Sequence, residues 1–277
     1  MNPPTHRMNQ TTHFTHERLE ITMKNETIKR PLLLCEFLMR DLLIAGLAVS
    51  AALIVVQQLM FALQLDSAGS LELRYVLFST MIDQSGFAGV YVAAVVLLMA
   101  LLTASVLRRY LISRSVLSLY TVPVSRVWVF IAYLVGGVMT LLLLSAAQHI
   151  SVRLAYEQLY AALTSLRERV TYTVYVEPNA VWLAFLRDEF LHFVLPRTAG
   201  EWLFMLTVHL GAPAVTLCAA LSVMARRWSG LALAAGFILL CALGTADVIP
   251  VLIFAALVLA AIAGWKACSL IRRGDTL

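Results

Sequence analysis

Charged residues are scarce in this chain of 277 residues. Asp, Glu, Lys and Arg together make up 13% of the sequence, while hydrophobic residues make up 61%. A soluble domain carries about 25% charged residues, so this composition excludes an ordinary soluble fold. The useful unit of organisation is instead the apolar run of about 20 residues, which crosses a bilayer as a helix.

Catalytic and metal-binding motifs are also missing. The sequence has no Gly-Lys-Ser/Thr phosphate loop, no His-Glu-x-x-His and no Gly-x-Ser-x-Gly, so this chain cannot hydrolyse ATP by the phosphate-loop route. Glu189-Phe-Leu-His192 has the spacing of a carboxylate-bridged metal site, but such sites draw ligands from four helices. We therefore predict no metal and no enzyme activity in this chain. The cysteines are isolated and give no disulfide framework: Cys35, Cys218, Cys241 and Cys268.

Six apolar runs predict an all-α polytopic membrane protein. They cover residues 42–63, 88–107, 127–147, 202–225, 230–244 and 251–265. The last two are separated by Thr245-Ala-Asp247-Val-Ile-Pro250, which is typical of a turn between antiparallel helices. The fifth run is short, because about 15 residues rise only about 23 Å as a helix against about 30 Å of hydrocarbon.

The distribution of Lys and Arg indicates the orientation. If the amino terminus is cytoplasmic, 15 of the 21 basic residues fall in inside segments and 6 in outside segments. This bias predicts that both termini are cytoplasmic. It also accounts for the net charge of +5, so no nucleic-acid partner is implied.

The amino-terminal region divides near residue 30. Residues 1–30 are polar and predict a flexible cytoplasmic tail, in which Met8 and Met23 are alternative candidate starts. Residues 31–277 form a single predicted transmembrane domain. Glu36 and Arg40 lie one turn apart on an otherwise apolar segment. That segment is predicted to be an interfacial helix leading into the first span, or a simple extension of that span.

The basic connector between the second and third runs, residues 108–126, has helical periodicity. Ile112, Val116 and Leu119 share one face, and Pro123 ends the helix because its ring clashes with the preceding turn. Two interpretations remain. The connector is a short helix parallel to the membrane that contacts a protein, or it is an ordinary loop whose arginines only set the topology.

Within this connector, Ser118-Leu-Tyr120-Thr-Val-Pro123-Val-Ser-Arg126 resembles the "Leu-Pro-Val-Ser-Arg" type connector of ABC-2 type transporter permeases. In that family the connector is a coupling helix that docks on an ATP-binding subunit, and an elbow helix precedes the first of six spans. The resemblance implies ATPase-coupling roles for Arg109, Arg114, Ser118, Tyr120, Thr121, Pro123, Val124 and Arg126.

The same resemblance implies the partners. They are two copies of an ABC ATP-binding subunit, which bind ATP and Mg, and a second permease subunit that makes a homodimer or heterodimer. This chain itself would hold no cofactor. The implied location is the bacterial cytoplasmic membrane.

The chain departs from the family in its outer loop, residues 148–201, which lies between the third and fourth spans and is enlarged. Residues 150–170 predict a helical continuation of the third span, 171–176 a strand, and 180–195 an amphipathic helix. Three roles are open for this loop: a cap that gates the substrate, a docking surface for an accessory protein, or a solvated lid.

Two intramembrane or interfacial ionisable residues are pathway candidates. His209 lies in the fourth run, where it either bonds a neighbouring helix or lines a pathway, and Asp247 follows the fifth run. The preferred function is the permease subunit of an ATP-driven exporter. The alternative is an ion-coupled carrier or channel without an ATPase, which requires paired intramembrane charges or inverted repeats.

Overall fold

The computed structural model describes residues 8–67, 77–109, 125, 127–169, 179–247 and 250–273. Side chains are described at 33, 35–67, 77–109, 125, 127–169, 179–241 and 251–272. All regular structure in these ranges is helical. The helices are α1 Met8–Ser67, α2 Phe78–Gln84, α3 Phe87–Leu107, α4 Val127–Arg169, α5 Ala180–Arg187, α6 Glu189–Val194, α7 Ala199–Met224, α8 Ser229–Asp247 and α9 Pro250–Arg273.

Within the described residues, five helical segments are long and apolar enough to cross a bilayer. They are Cys35–Ser67, Phe87–Leu107, Val127–Arg169, Ala199–Met224 and Val251–Arg272. The chain is therefore a multi-pass helical membrane protein, as its composition predicts. The fifth predicted run lies in α8, whose described apolar part, Ser229–Cys241, is shorter than these segments. The count of six spans stays a prediction.

The first span belongs to a much longer helix. α1 runs without interruption from Met8 to Ser67 and includes the segment predicted as an interfacial helix. Its backbone continuity favours the second reading of that segment, an extension of the first span. The division of the chain at residue 30 stays a prediction.

The bundle has two different ends. One apolar cluster joins the start of the first span to the ends of α3, α7 and α9, through Leu38, Val106, Leu221 and Ile271. We call this the Arg109 end. A second cluster, including Phe61, Phe78, Leu159, Phe185 and Leu191, packs the other end of α1 against α2, α4, α5 and α6. We call this the distal end.

Two glycines let α4 approach its neighbours closely. A Cβ added at Gly46 of α1 would lie 2.7 Å from Cγ2 of Thr140, and one added at Gly137 of α4 would lie 2.7 Å from Cβ of Pro213 in α7. Small residues at such contacts allow transmembrane helices to pack by dispersion in a solvent that is itself apolar. α4 is thus held against both α1 and α7.

The distal end confirms one prediction for the outer loop and corrects another. α4 continues to Arg169, so the predicted helical continuation of the third span is confirmed. The predicted helix over 180–195 is wrong as a single element, because Asp188 has an extended backbone (φ −92°, ψ 119°) that separates α5 from α6. The predicted strand at 171–176 lies outside the described residues. α2 was not predicted; it joins α3 through Gly86, whose φ of 74° suits glycine.

Replacing Gly46 by alanine tests the α1–α4 contact. The added methyl group meets Thr140, whose hydroxyl is fixed by a 2.8 Å hydrogen bond to the Gly137 carbonyl. We expect Gly46→Ala to lower the free energy of unfolding by about 1–3 kcal/mol through overpacking. The measurement is the thermal unfolding midpoint in detergent.

Gly89→Ala is the matched control, because a Cβ at Gly89 of α3 meets nothing within 4 Å. There the gain in helix propensity, about 1 kcal/mol, is expected to leave stability unchanged or higher. Equal midpoints for the two variants would contradict the close α1–α4 packing.

Candidate functional site

Only one of the predicted ATPase-coupling residues has a described side chain. Arg109 lies two residues after the end of α3, at the start of the 108–126 connector. The others lie outside the described residues: Arg114, Ser118, Tyr120, Thr121, Pro123, Val124 and Arg126. The coupling helix therefore stays a prediction. α3 and α4, which the connector joins, both reach the Arg109 end through Val106 and Val129.

The Arg109 side chain turns into the bundle. The residue as a whole is 7% exposed, and its Nη2 donates to Oδ2 of Asp41 at 2.7 Å and to the Phe37 carbonyl oxygen at 3.3 Å. Its guanidinium carbon also lies 4.8 Å from the centre of the Phe37 ring, in a cation–π contact. These contacts attach the beginning of the connector to α1. These contacts place the guanidinium inside the bundle, and the ATPase-coupling role of Arg109 stays a prediction.

Tyr133 of α4 is a further buried residue with a polar group at the Arg109 end. Its side chain is 1% exposed, and its hydroxyl has no hydrogen-bond partner among the described residues. Tyr133 packs in the same apolar cluster as Leu38 of α1 and Val106 of α3. Helices α1, α3 and α4 thus meet at the Arg109 end of the bundle.

His209 is one member of a chain of hydrogen-bond contacts inside the bundle. Nδ1 is 2.8 Å from the Met205 carbonyl oxygen and Nε2 is 3.1 Å from Oγ of Ser145, which in turn is 3.1 Å from the Tyr91 hydroxyl. A neutral imidazole satisfies this arrangement, because Nδ1–H donates to the carbonyl while Nε2 accepts from the serine. Both ring nitrogens therefore have partners within the subunit. The contacts favour helix-to-helix bonding, and a pathway role for His209 stays a prediction.

Glutamines inside the spans form a second polar group that was not predicted. Nε2 of Gln57 donates to Oε1 of Gln148 at 2.8 Å and to the Phe87 carbonyl oxygen at 3.1 Å. Nε2 of Gln58 donates to the carbonyl and hydroxyl oxygens of Ser151, each at 2.9 Å. These bonds join α1 to α4. Part of the signal was present in the sequence, since Gln57 and Gln58 interrupt the first apolar run and Gln148 directly follows the third.

Asp247, the second pathway candidate, ends α8, and its side chain lies outside the described residues. Its predicted role is untested.

No three His, Cys, Asp or Glu side chains converge as metal ligands in the described part of the chain. His192, the predicted histidine of the Glu-x-x-His spacing, has its Nδ1 3.1 Å from Nη2 of Arg197.

The distal end contains a buried carboxylate and a cavity. Asp188 is 4% exposed and caps α6, because its Oδ1 accepts from the Leu191 N–H at 3.1 Å. A cavity of about 510 Å³ lies between α4 and α5, with Arg153, Tyr156 and Trp182 among the residues that line it. Arg153 is already paired with Glu157 at 2.8 Å. The outer loop therefore has an apolar core and a concave, partly aromatic surface.

Comparison with known proteins gives no relative from which a function could be transferred. No protein-family model matches the chain, and neither a curated protein nor a solved structure is detectably similar to it. The candidate ATPase-docking site is the 108–126 connector, and Arg109 attaches the beginning of that connector to α1.

Replacing His209 tests its bonding role. His209→Leu removes the acceptor of the Ser145 hydroxyl inside the bundle, so we expect the free energy of unfolding to fall by about 1 kcal/mol. The measurement is the thermal midpoint in detergent, with Leu210→Ala as the control because Leu210 is 47% exposed on the same helix. An unchanged midpoint for His209→Leu would leave only the pathway interpretation.

The buried carboxyl group of Asp188 is expected to make the free energy of unfolding depend on pH. Burial, chiefly, and the charge of Asp83 raise its pKa above the ordinary carboxyl value, against the opposing effect of the Leu191 N–H. The folded state therefore binds the Asp188 proton more tightly than the unfolded chain does. As the pH rises from the ordinary carboxyl pKa through the raised pKa of Asp188, the contribution of Asp188 to the free energy of unfolding falls.

Two substitutions separate the charge of Asp188 from its capping role. Asp188→Asn keeps an N-cap acceptor and removes the ionisation, so it should be at least as stable at neutral pH and lose this pH dependence. Asp188→Ala loses the cap and should cost about 1 kcal/mol at any pH. Unfolding midpoints measured across the acidic range check both outcomes; an Asn variant with the wild-type pH profile would contradict the assignment.

Proposed function

We propose that this chain is the membrane-spanning subunit of an ATP-driven exporter of the ABC-2 type. A separate ATPase would bind the 108–126 connector, and ATP-driven closure of two ATPase subunits would move the helices that the connector joins. A second permease subunit, identical or related, would complete the transport pathway. The observation that carries the proposal is the sequence Ser118 to Arg126, which follows α3 and leads into α4.

Charge supports a cytoplasmic location for the Arg109 end in a bacterial plasma membrane. Among the described side chains this end holds seven cations and two acids, whereas the distal end holds five cations and seven acids. The cations of the Arg109 end are Arg40, Arg108, Arg109, Arg226, Arg227, Lys266 and Arg272. Cytoplasmic segments of membrane proteins carry such an excess of Lys and Arg.

The packing also suits transmission of force. α3 and α4 are the two spans that the connector joins, and α4 contacts α1 through Gly46 and Thr140 and α7 through Gly137 and Pro213. A push on the connector would therefore act on several spans. The intramembrane groups offer less support for an ion-coupled carrier, because His209 has partners at both ring nitrogens.

Copurification with an ATPase tests the proposal. The chain is purified from its native membrane in mild detergent, and bound proteins are identified by mass spectrometry and assayed for vanadate-sensitive ATP hydrolysis. We expect a phosphate-loop ATPase to be recovered. Combined replacement of Tyr120, Pro123 and Arg126 by alanine should reduce its recovery at least about tenfold, as loss of central interface residues does.

The matched control is Trp182→Ala, which removes an aromatic side chain, 57% exposed, at the distal end. It should leave ATPase recovery unchanged. Recovery of the ATPase that is insensitive to the connector replacements would contradict the docking site. Uptake or efflux driven by an ion gradient in vesicles that contain no ATPase would instead establish the carrier alternative.

A further inference from the structure

The contacts of Arg109 extend the proposed function to a second element, α1. Its guanidinium meets Asp41 and Phe37, which lie one helical turn apart on α1. Arg109 is the second residue of the 108–126 connector. The contact therefore links the beginning of the connector directly to α1, in addition to the covalent links to α3 and α4.

The exposures of the two ionic groups differ. The Arg109 side chain is 8% exposed, and that of Asp41 is 61% exposed. The Asp41 carboxylate stabilises the buried guanidinium, because a medium that solvates charge poorly favours a close opposite charge. The planar guanidinium also matches a carboxylate and an aromatic face together, which makes the contact directional. Loss of the Asp41 charge should consequently weaken the attachment even though Asp41 is at the surface.

α1 is closely packed against α4 beside Asp41. A Cβ at Gly136 of α4 would lie 3.0 Å from Cδ1 of Leu42 and 3.3 Å from Cγ of Met39. α1 and α4 are thus in close contact within one turn of Asp41. A shift of Arg109 acts on α1 at a point where that helix is already packed against the span that follows the connector.

We propose that Arg109, Asp41 and Phe37 form a latch through which movement of the connector is transmitted to α1. This inference rests on the proposed function, since the ATPase supplies the movement. Asp41 and Phe37 act here as positioning residues: they hold Arg109 and make no contact with ATP or with the transported substrate.

The test measures how α1 responds to nucleotide, so no substrate is needed. Cys35 is a free, partly buried cysteine on α1, two residues before Phe37. In a chain with the other cysteines replaced, Cys35 carries a spin label, and the chain is assembled with its ATPase. The change in the label's spectrum between the nucleotide-free complex and the complex trapped with ATP and vanadate reports the movement of α1.

Asp41→Asn should reduce this change by about fivefold or more, which is the lower range of measured coupling between sites. It should leave recovery of the ATPase as in the unmodified chain. Asp41→Glu keeps the carboxylate and should restore most of the response. Glu36→Gln is the matched control, because it neutralises an exposed acid on the same helix, and it should not alter the response.

Different results would contradict the proposed function and the latch. If no ATPase assembles with the unmodified chain, the proposed function fails. If the ATPase assembles but Cys35 shows no nucleotide-dependent change, or Asp41→Asn shows the full change, the latch is overturned and the proposed function stands. Thermal unfolding of each variant is recorded beside these measurements. A variant that does not fold is replaced by Phe37→Leu, which removes the cation–π contact and should also reduce the response.

Discussion

The structure depends on the contact between α1 and α4 inside the membrane. Hydrocarbon offers no water to a buried amide, so Gln57 and Gln148 are stabilised by bonding to one another. The next residue of α1, Gln58, bonds to Ser151, which lies about one turn after Gln148 on α4. Gly46 allows α1 to approach Thr140 of α4 closely. Polar pairing fixes the register of the two helices, while the small residue fixes their separation. Other spans then pack onto a pair whose geometry is already set.

The two ends of the bundle are suited to different surroundings. The Arg109 end is rich in cations, and its central arginine is held by α1. The distal end has its own apolar cluster, helices that are too short to cross a membrane, and a carboxylate that caps one of them. This division agrees with the proposed arrangement, in which energy enters at one face and the opposite face meets the exterior.

The sequence was most informative where periodicity and composition act over many residues. The apolar runs of α3, α4 and α7 and the long continuation of α4 were predictable, because a span or an extended helix is specified by tens of side chains together. The break at Asp188 was not, since it depends on one side chain accepting from the Leu191 N–H. The burial of Arg109 was equally inaccessible, because the connector sequence contains no information about its distant partner Asp41. Gln57 stood out as a polar residue in an apolar run and Gln148 directly follows such a run, but their pairing requires the packed bundle.

The length of α4 has a mechanical consequence. Its 43 residues form one helix about 65 Å long, roughly twice the thickness of the hydrocarbon layer. Thr140 packs against Gly46 and Gly137 packs against Pro213, so α4 is held from two sides at this level of the bundle. About 30 residues, or about 45 Å of helix, extend from this contact to Arg169. If α4 pivoted there, a tilt of about 5° would move its outer tip by about 4 Å and would also displace Arg153 and Tyr156, which line the distal cavity.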